Sequence, residues 1–106
     1  MDIENIKNII KSWAESEALI KSAYIFGSRA RNDYKNDSDL DVAVEIHPLN
    51  DESSYAAWVF EKKKLKESLS KLIPYQLQLE QYDGDDTPII KGAIESSSIL
   101  VYVENE

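Results

Sequence analysis

Two short motifs carry the side chains of this sequence that are best suited to chemistry. Gly27 and Ser28 stand where an apolar run ends and a polar segment begins. Asp39 and Asp41 open the next apolar run, and ten residues, 29–38, separate the two motifs. The spacing suggests a turn that could hold phosphate and a carboxylate pair that could hold a cation.

The residue types explain which chemistry such a pair of motifs would support. A glycine at the turn from a strand to a helix lets the backbone approach a ligand closely. The N–H groups of the first helical turn favour an anion, and the Ser28 hydroxyl adds a donor. Asp39 and Asp41, one residue apart on a strand, face the same side and can hold hard cations such as Mg²⁺ that substrate phosphates share. The combination predicts phosphoryl or nucleotidyl transfer, which depends mainly on positioning and charge neutralisation.

Each feature taken alone also has a purely structural interpretation. A Gly-Ser pair commonly only turns the chain. An Asp-x-Asp pair at a strand start can be a solvated edge or a helix cap. Arg29 and Arg31, which lie between the motifs, can be ordinary surface charges. The functional interpretation therefore depends on the motifs meeting in space.

Length and composition limit the possible classes of protein. The 106 residues predict one domain, 1–106, with composition typical of a globular protein. The lack of cysteine and the presence of a single histidine exclude disulfides, cysteine nucleophiles and His-rich metal sites. The net charge of -8 argues against direct nucleic-acid binding, because such affinity comes largely from Lys and Arg on phosphates. Basic proteins and metal-bound phosphate ligands remain possible partners.

The sequence also predicts the location of the protein. It has no run of about 18 apolar residues, so we expect no membrane span. The first five residues have no basic flank that leads into an apolar stretch, so we expect no secretory signal. With its lack of cysteine, this pattern favours a cytoplasmic protein.

Periodicity predicts an α/β (α+β) domain with a small mixed sheet of about four strands and helices packed on it. The predicted helices cover residues 3–18 with Asp2 as N-cap, a short start after Gly27, 53–73 and 88–95; the predicted strands cover 23–26, 39–46, 75–82 and 99–103. About a dozen residues join the first two strands, too few for a crossover helix, so we expect these strands to be neighbours. The Gly27 turn would then lie next to the start of the Asp39 strand.

Two of these elements carry a predicted core face. In the strand 39–46, alternate residues point one way: Leu40, Val42, Val44 and Ile46. In the helix 53–73, one apolar stripe holds Trp58, Leu65, Leu69 and Leu72, and Pro74 follows the helix.

The motifs and their order resemble a known family. Residues 26–31 (FGSRAR) and 38–41 (SDLD) are similar to the signature of the DNA polymerase beta-like nucleotidyltransferases, and most similar to their minimal, MNT-type branch. The leading helix, the long helix before Pro74 and the third and last strands are similar as well. The resemblance thus covers nearly the whole chain and implies a polymerase beta-like nucleotidyltransferase fold.

The resemblance also implies roles for individual residues. Asp39 and Asp41 would be the catalytic residues and would bind the Mg²⁺ ions that carry the triphosphate of ATP or another NTP. The residues that bind the nucleotide would be Gly27, Ser28, Arg29 and Arg31. The reaction would transfer the nucleoside monophosphate, which is AMP when ATP is the donor.

One position departs from the family pattern. A third carboxylate on the next strand should complete the metal site and help to deprotonate the acceptor, but the best-matching residue is Gln78. Glutamine offers neither a base at neutral pH nor an anionic ligand. Glu80, two residues along on the same face, would substitute if the register differed, or would be an exposed strand residue.

The resemblance finally suggests a partner and leaves competing functions open. Members of the minimal branch are commonly paired with a helical HEPN-domain protein as antitoxin and toxin, and transfer AMP to a tyrosine of that partner. This chain would then be a metal-dependent enzyme that modifies a protein. Alternatively, it would be a weak or inactive module that neutralises its partner by binding, which Gln78 favours. A small-molecule adenylyltransferase is a third possibility, disfavoured because an acceptor-binding domain is absent, and oligomerisation is open.

Overall fold

The computed structural model describes residues 1–48 and 53–104. The elements in this part of the chain are α1 (Ile3–Ser16), β1 (Ile20–Phe26), α2 (Ser28–Arg31), β2 (Leu40–Ile46), α3 (Ser54–Ser70), β3 (Leu77–Gln81), α4 (Pro88–Ser96) and β4 (Ser98–Val103). A single 3-10 turn, Gly84–Asp86, precedes α4. None of these helices is long and apolar enough to cross a membrane.

The four strands form one mixed sheet in the order β3-β2-β1-β4. β1 runs antiparallel to both of its neighbours, β2 and β4. β2 and β3 are parallel, and α3 connects them across the sheet. The predicted fold class is confirmed, and so is the expectation that the first two strands lie side by side.

One face of the sheet carries the main hydrophobic core. α1 and α3 cover this face, and the Trp13 indole N–H of α1 donates to the Ser68 hydroxyl of α3 at 2.8 Å. The alternation predicted for β2 is confirmed, because the side chains on that face are fully or almost fully buried: Leu40, Val42, Val44 and Ile46. The core on this face therefore supports the sheet from one side and leaves the other face available for polar side chains.

The opposite face of the sheet is only partly covered. Ile94 of α4 packs against Phe26 and Ala43 there, so Ala43 is buried on a face that the alternation left outside the core. Further along the same face, the side chains of Asp41 and Gln78 remain partly exposed. This face therefore combines an apolar patch under α4 with an open polar region at the start of β2.

Most helix and strand boundaries differ from the predictions by a few residues. α1 begins as expected, because the Asp2 carboxylate accepts a hydrogen bond from the Asn5 backbone N–H at 2.8 Å. The prediction for Leu72 is wrong: α3 ends at Ser70, so Leu72 leaves the apolar stripe and is 49% exposed. Ile73 turns inward instead and is buried, because the chain bends before Pro74.

The end of α3 generates a prediction about stability. Leu69 is fully buried and Leu72 is half-exposed, although only two residues separate them. Leu69→Ala is expected to lower the free energy of unfolding by about 2–5 kcal/mol through lost burial and a cavity. Leu72→Ala is the matched control and should cost well under half as much. Urea denaturation of both variants checks this, and equal losses would contradict the observed helix end.

Candidate active site

The pairing of β1 with β2 brings the two sequence motifs together. Phe26 lies opposite Asp41 in the antiparallel register, so Gly27 follows directly beside that carboxylate. Gly27 has φ of 74°, a left-handed conformation that favours glycine. A Cβ at Gly27 would overlap Asp41 Oδ2 and lie 3.2 Å from Asp41 Cγ. Glycine is therefore required here both for the turn and for the close approach of the carboxylate.

Asp39 and Gln78 complete a polar cluster around Asp41. Asp39 immediately precedes β2, and Gln78 lies opposite Asp41 in the parallel pairing with β3. The Gln78 side-chain amide donates a long hydrogen bond of 3.4 Å to Asp39 Oδ2. Gln78, which the sequence comparison matched to the third-carboxylate position, thus lies beside both aspartates.

The electrostatics of Asp41 reflect this crowding. Burial raises the pKa of Asp41 above its ordinary value, and the neighbouring charge of Asp39 raises it further. Glu80 adds a smaller rise in the pKa, whereas the Arg31 charge lowers it. The surroundings of Asp41 therefore disfavour its negative charge, and a cation bound there would stabilise the ionised carboxylate.

Glu80 occupies the same face one row further along the sheet. It lies opposite Ala43, whereas Gln78 lies opposite Asp41. The described residues contain no cluster of three or more acidic or imidazole side chains that could hold a cation. Glu80 is thus near enough to act on the charge of Asp41 but does not complete a three-carboxylate site.

The donor set at this cluster is compatible with Mg²⁺ shared with a phosphate ligand. Mg²⁺ prefers oxygen ligands and is commonly held by one or two carboxylates together with substrate phosphates and waters. Asp39 and Asp41 provide the carboxylates, and Gln78 offers a neutral amide oxygen. The crowding of negative charge at Asp41 supports the same fit.

The two arginines of α2 have different surroundings. The Arg31 side chain is 47% exposed and forms an ion pair with Asp33 at 3.1 Å. Its positive charge is close enough to lower the pKa of Asp41. Arg29 was expected beside the phosphates, but it is only 3% exposed. Its guanidinium donates to the Ser38 carbonyl at 2.8 Å and lies against the rings of Tyr34 and Tyr75. The structure thus separates two residues that the motif presents as equivalent.

The aromatic pair around Arg29 was not predicted from the sequence. Tyr34 belongs to the loop after α2, and Tyr75 precedes β3 more than forty residues later. No periodicity links these positions to Arg29, since three separate segments supply the stack. Only the proximity of Tyr75 to the predicted third-carboxylate position could have drawn attention to it.

His47 and the lysines at positions 62–64 lie away from this polar cluster. His47, at the far end of β2, pairs with Glu104 at 2.8 Å. The lysines at positions 62–64 are exposed on α3, as expected for a solvated helix face. A cavity of about 650 Å³ lies between α1 and β4 and includes none of the site residues. The candidate site itself consists of partly exposed side chains on the open face of the sheet.

Comparison with known sequences finds relatives along nearly the whole chain. The family described as "Polymerase beta, Nucleotidyltransferase" matches residues 4–106. Two proteins of Methanocaldococcus jannaschii, both provisionally named protein adenylyltransferases, are 34% and 31% identical to the chain over 104 residues. Each match covers 95% of this chain and 97% of the relative.

A solved structure described as a toxin-antitoxin with AMP-PNP shares the fold. Its TM-score is 0.69 at 16% sequence identity, and the match covers 93% of this chain and 74% of that chain. At this level of identity the likeness shows that the two chains have the same fold. It is consistent with the mixed sheet and the helix arrangement described above.

The Gly27 turn generates a prediction about both stability and the site. Gly27→Ala is expected to lower the free energy of unfolding by about 2–4 kcal/mol, from left-handed strain and overlap with Asp41. Gly92→Ala is the matched control, because Gly92 lies in α4 without a positive φ, and a Cβ added there would meet no neighbouring atom within 4 Å. That change should stabilise by up to about 1 kcal/mol. Thermal and urea unfolding check both variants, and an unperturbed Gly27→Ala protein would contradict the described turn.

The raised pKa of Asp41 generates a prediction about pH. Because the folded protein binds this proton more tightly than the unfolded chain, stability falls as pH rises from 3.8 through the folded pKa. Asp41→Asn removes that cost, so in metal-free buffer it should be more stable than the parent at pH 7. The difference should vanish below the unfolded pKa. Urea denaturation from acidic to neutral pH measures this, with exposed Asp37→Asn as control; a destabilised Asp41→Asn at neutral pH would refute it.

Proposed function

Because the chain belongs to the polymerase beta nucleotidyltransferase family and to its minimal branch, we propose that it transfers AMP from ATP to a hydroxyl group of a partner protein. This proposal rests mainly on the close approach of the Gly27 turn to the Asp41 carboxylate. It joins a turn suited to phosphate with a carboxylate pair suited to a cation. Neither motif could support the transfer by itself.

The proposed reaction exchanges one phosphate ester bond for another. The acceptor oxygen bonds to the α-phosphorus of ATP, the bond from that phosphorus to the α,β-bridging oxygen breaks, and pyrophosphate leaves. The hydroxyl proton passes to solvent or to Glu80, because Gln78 cannot accept it at neutral pH. Since the chemistry needs mainly alignment and charge neutralisation, a small set of groups suffices.

Each site residue has a defined part in the proposed reaction. Asp39 and Asp41 would hold Mg²⁺, which supplies positive charge to the triphosphate and the developing charge on its oxygens. The Gly27 backbone and the Ser28 hydroxyl would hold phosphate oxygens. Arg31, exposed and close enough to act on Asp41, would face the same anionic ligand.

The names of the relatives and the charge of the chain support a protein acceptor. The M. jannaschii relatives carry the name protein adenylyltransferase, and the fold neighbour is a toxin-antitoxin with AMP-PNP. The net charge of -8 suits a basic, RNA-binding partner. We therefore propose that a HEPN-domain toxin in the cytoplasm is the acceptor and that AMP transfer silences it.

Gln78 supports a second candidate function. It faces Asp39 and Asp41 at the position where the family pattern has a third carboxylate. General-base assistance is typically worth about 10²–10⁴-fold in rate, so its loss would leave a slow enzyme. In this second candidate, the chain neutralises its partner by binding, and the nucleotide site is vestigial.

Labelled ATP distinguishes the two candidates. The protein is incubated with Mg²⁺, ATP and the product of its neighbouring gene, with the label on either the α- or the γ-phosphate. Label from the α-phosphate should appear on the partner, label from the γ-phosphate should not, and EDTA should abolish transfer. Asp39→Asn with Asp41→Asn should abolish transfer while the complex persists, and Asp37→Asn is the control.

A further variant tests the role of Gln78 in the same assay. Gln78→Glu supplies the third carboxylate and is expected to raise the transfer rate, whereas Gln78→Ala should not. If the parent protein forms a tight complex but neither it nor Gln78→Glu transfers label, the binding module is the correct function.

A further inference from the structure

We propose that Arg29 is a positioning residue that sets the location of the Asp39 carboxylate through the Ser38 carbonyl. This inference rests on the proposed function, because it concerns the same carboxylate pair. Arg29 would thus act on the site from within the fold and would not contact the nucleotide itself.

The hydrogen bond from Arg29 reaches the peptide group that leads into Asp39. Arg29 Nη2 donates to the Ser38 carbonyl oxygen at 2.8 Å. That carbonyl belongs to the planar peptide unit joining Ser38 to Asp39, so holding the oxygen also sets the Asp39 nitrogen and Cα. On the other side of Asp39, the Leu40 backbone N–H donates to the Gln76 carbonyl at 2.9 Å. Asp39 is therefore held between two backbone anchors, of which Arg29 supplies one.

Two aromatic rings hold the Arg29 guanidinium in place. Its central carbon lies 3.8 Å from the centroid of the Tyr75 ring and 4.6 Å from that of the Tyr34 ring. A guanidinium stacks on aromatic faces, and its charge is attracted to their electron density. The Nε atom of Arg29 is buried without a hydrogen-bond partner among the described residues. The rings thus compensate for part of the buried charge and leave the fork aimed at Ser38.

The same contacts attach the loop that leads into Asp39 to α2, the helix that contains Arg29. Tyr34 comes from this loop, so its contact with Arg29 ties the loop near its beginning, and Ser38 ties it near its end. Between them, the Ser38 N–H donates to the Lys35 carbonyl at 3.0 Å, and the Lys35 N–H donates to the Ser38 hydroxyl at 2.8 Å. The loop is a closed turn attached to Arg29 at both ends.

The burial of Arg29 argues against direct contact with phosphate. The residue is 3% exposed, and reaching an open face of the sheet would require leaving both rings and the Ser38 carbonyl. Arg31, two residues later, is exposed and needs no such rearrangement. The geometry therefore assigns different roles to the two arginines. Arg29 positions the Asp39 carboxylate, and Arg31 faces the ligand.

Mn²⁺ binding tests the proposal without relying on turnover. Arg29→Lys keeps the positive charge but loses the planar guanidinium and its stacking on the tyrosine rings. Mn²⁺ binding is measured from the electron paramagnetic resonance signal of the free ion. We expect the Mn²⁺ dissociation constant to rise about 10-fold or more, as for the loss of a group that orients a metal ligand. Amide hydrogen exchange should accelerate in the same variant at Ser38 and Leu40, whose N–H groups donate to the Lys35 and Gln76 carbonyls. Lys66→Arg, on the exposed face of α3 away from the site, exchanges the same two residue types in reverse; it is the control and should change neither quantity.

Further measurements separate the alternatives. Unchanged binding of both Mn²⁺ and ATP in folded Arg29→Lys, whatever its melting temperature, would reduce Arg29 to a structural residue and overturn the inference. Unchanged Mn²⁺ binding with weakened ATP binding would make Arg29 a phosphate ligand and overturn it as well. If Arg29→Lys does not fold, Tyr34→Leu replaces it, because that change loosens the stack from a partly exposed position and should also weaken Mn²⁺ binding. A parent protein that binds no Mn²⁺ would sink the proposed function together with this inference.

Discussion

The antiparallel pairing that sets Phe26 opposite Asp41 is the constraint on which the site depends. It forces the turn after β1 and the first carboxylate of β2 into the same small volume. Gly27 satisfies this constraint because a residue with a Cβ would overlap the carboxylate and would also resist the left-handed backbone. A shift of one residue in this register would turn Asp41 to the core face, so the hydrophobic alternation of β2 fixes the position of the candidate site as well as the fold.

The candidate site concentrates negative charge that does not stabilise the fold. Burial opposes the ionisation of Asp41 most, and the charges of Asp39 and Glu80 oppose it further. The core beneath, built by α1 and α3 on the other face of the sheet, provides the stability that tolerates this arrangement. Such a conflict between local electrostatics and fold is typical of functional sites, where disfavoured charges are relieved by a ligand. The Asp41 carboxylate therefore belongs to the candidate site and at the same time lowers the stability of the fold when it is ionised.

The sequence predicted several features because their causes are local. The short link between the first two strands required them to be neighbours, and the alternation of β2 identified its core face. By contrast, the stripe on α3 failed at Leu72, because the helix ends at Ser70 and the chain must bend before Pro74. The burial of Ala43 was also missed, since it depends on α4 packing from a distant part of the chain.

The sequence by itself determined the family, the mixed sheet and the position of the Gly27 turn beside the start of the Asp39 strand, because motif spacing and strand periodicity act over a few residues. The tertiary structure alone decided what surrounds the two arginines. Arg29 and Arg31 have the same chemistry and lie two residues apart, yet one points into a stack formed with Tyr34 and Tyr75 and the other toward solvent. That difference arises from side chains brought together across three segments, and no local pattern encodes such a contact.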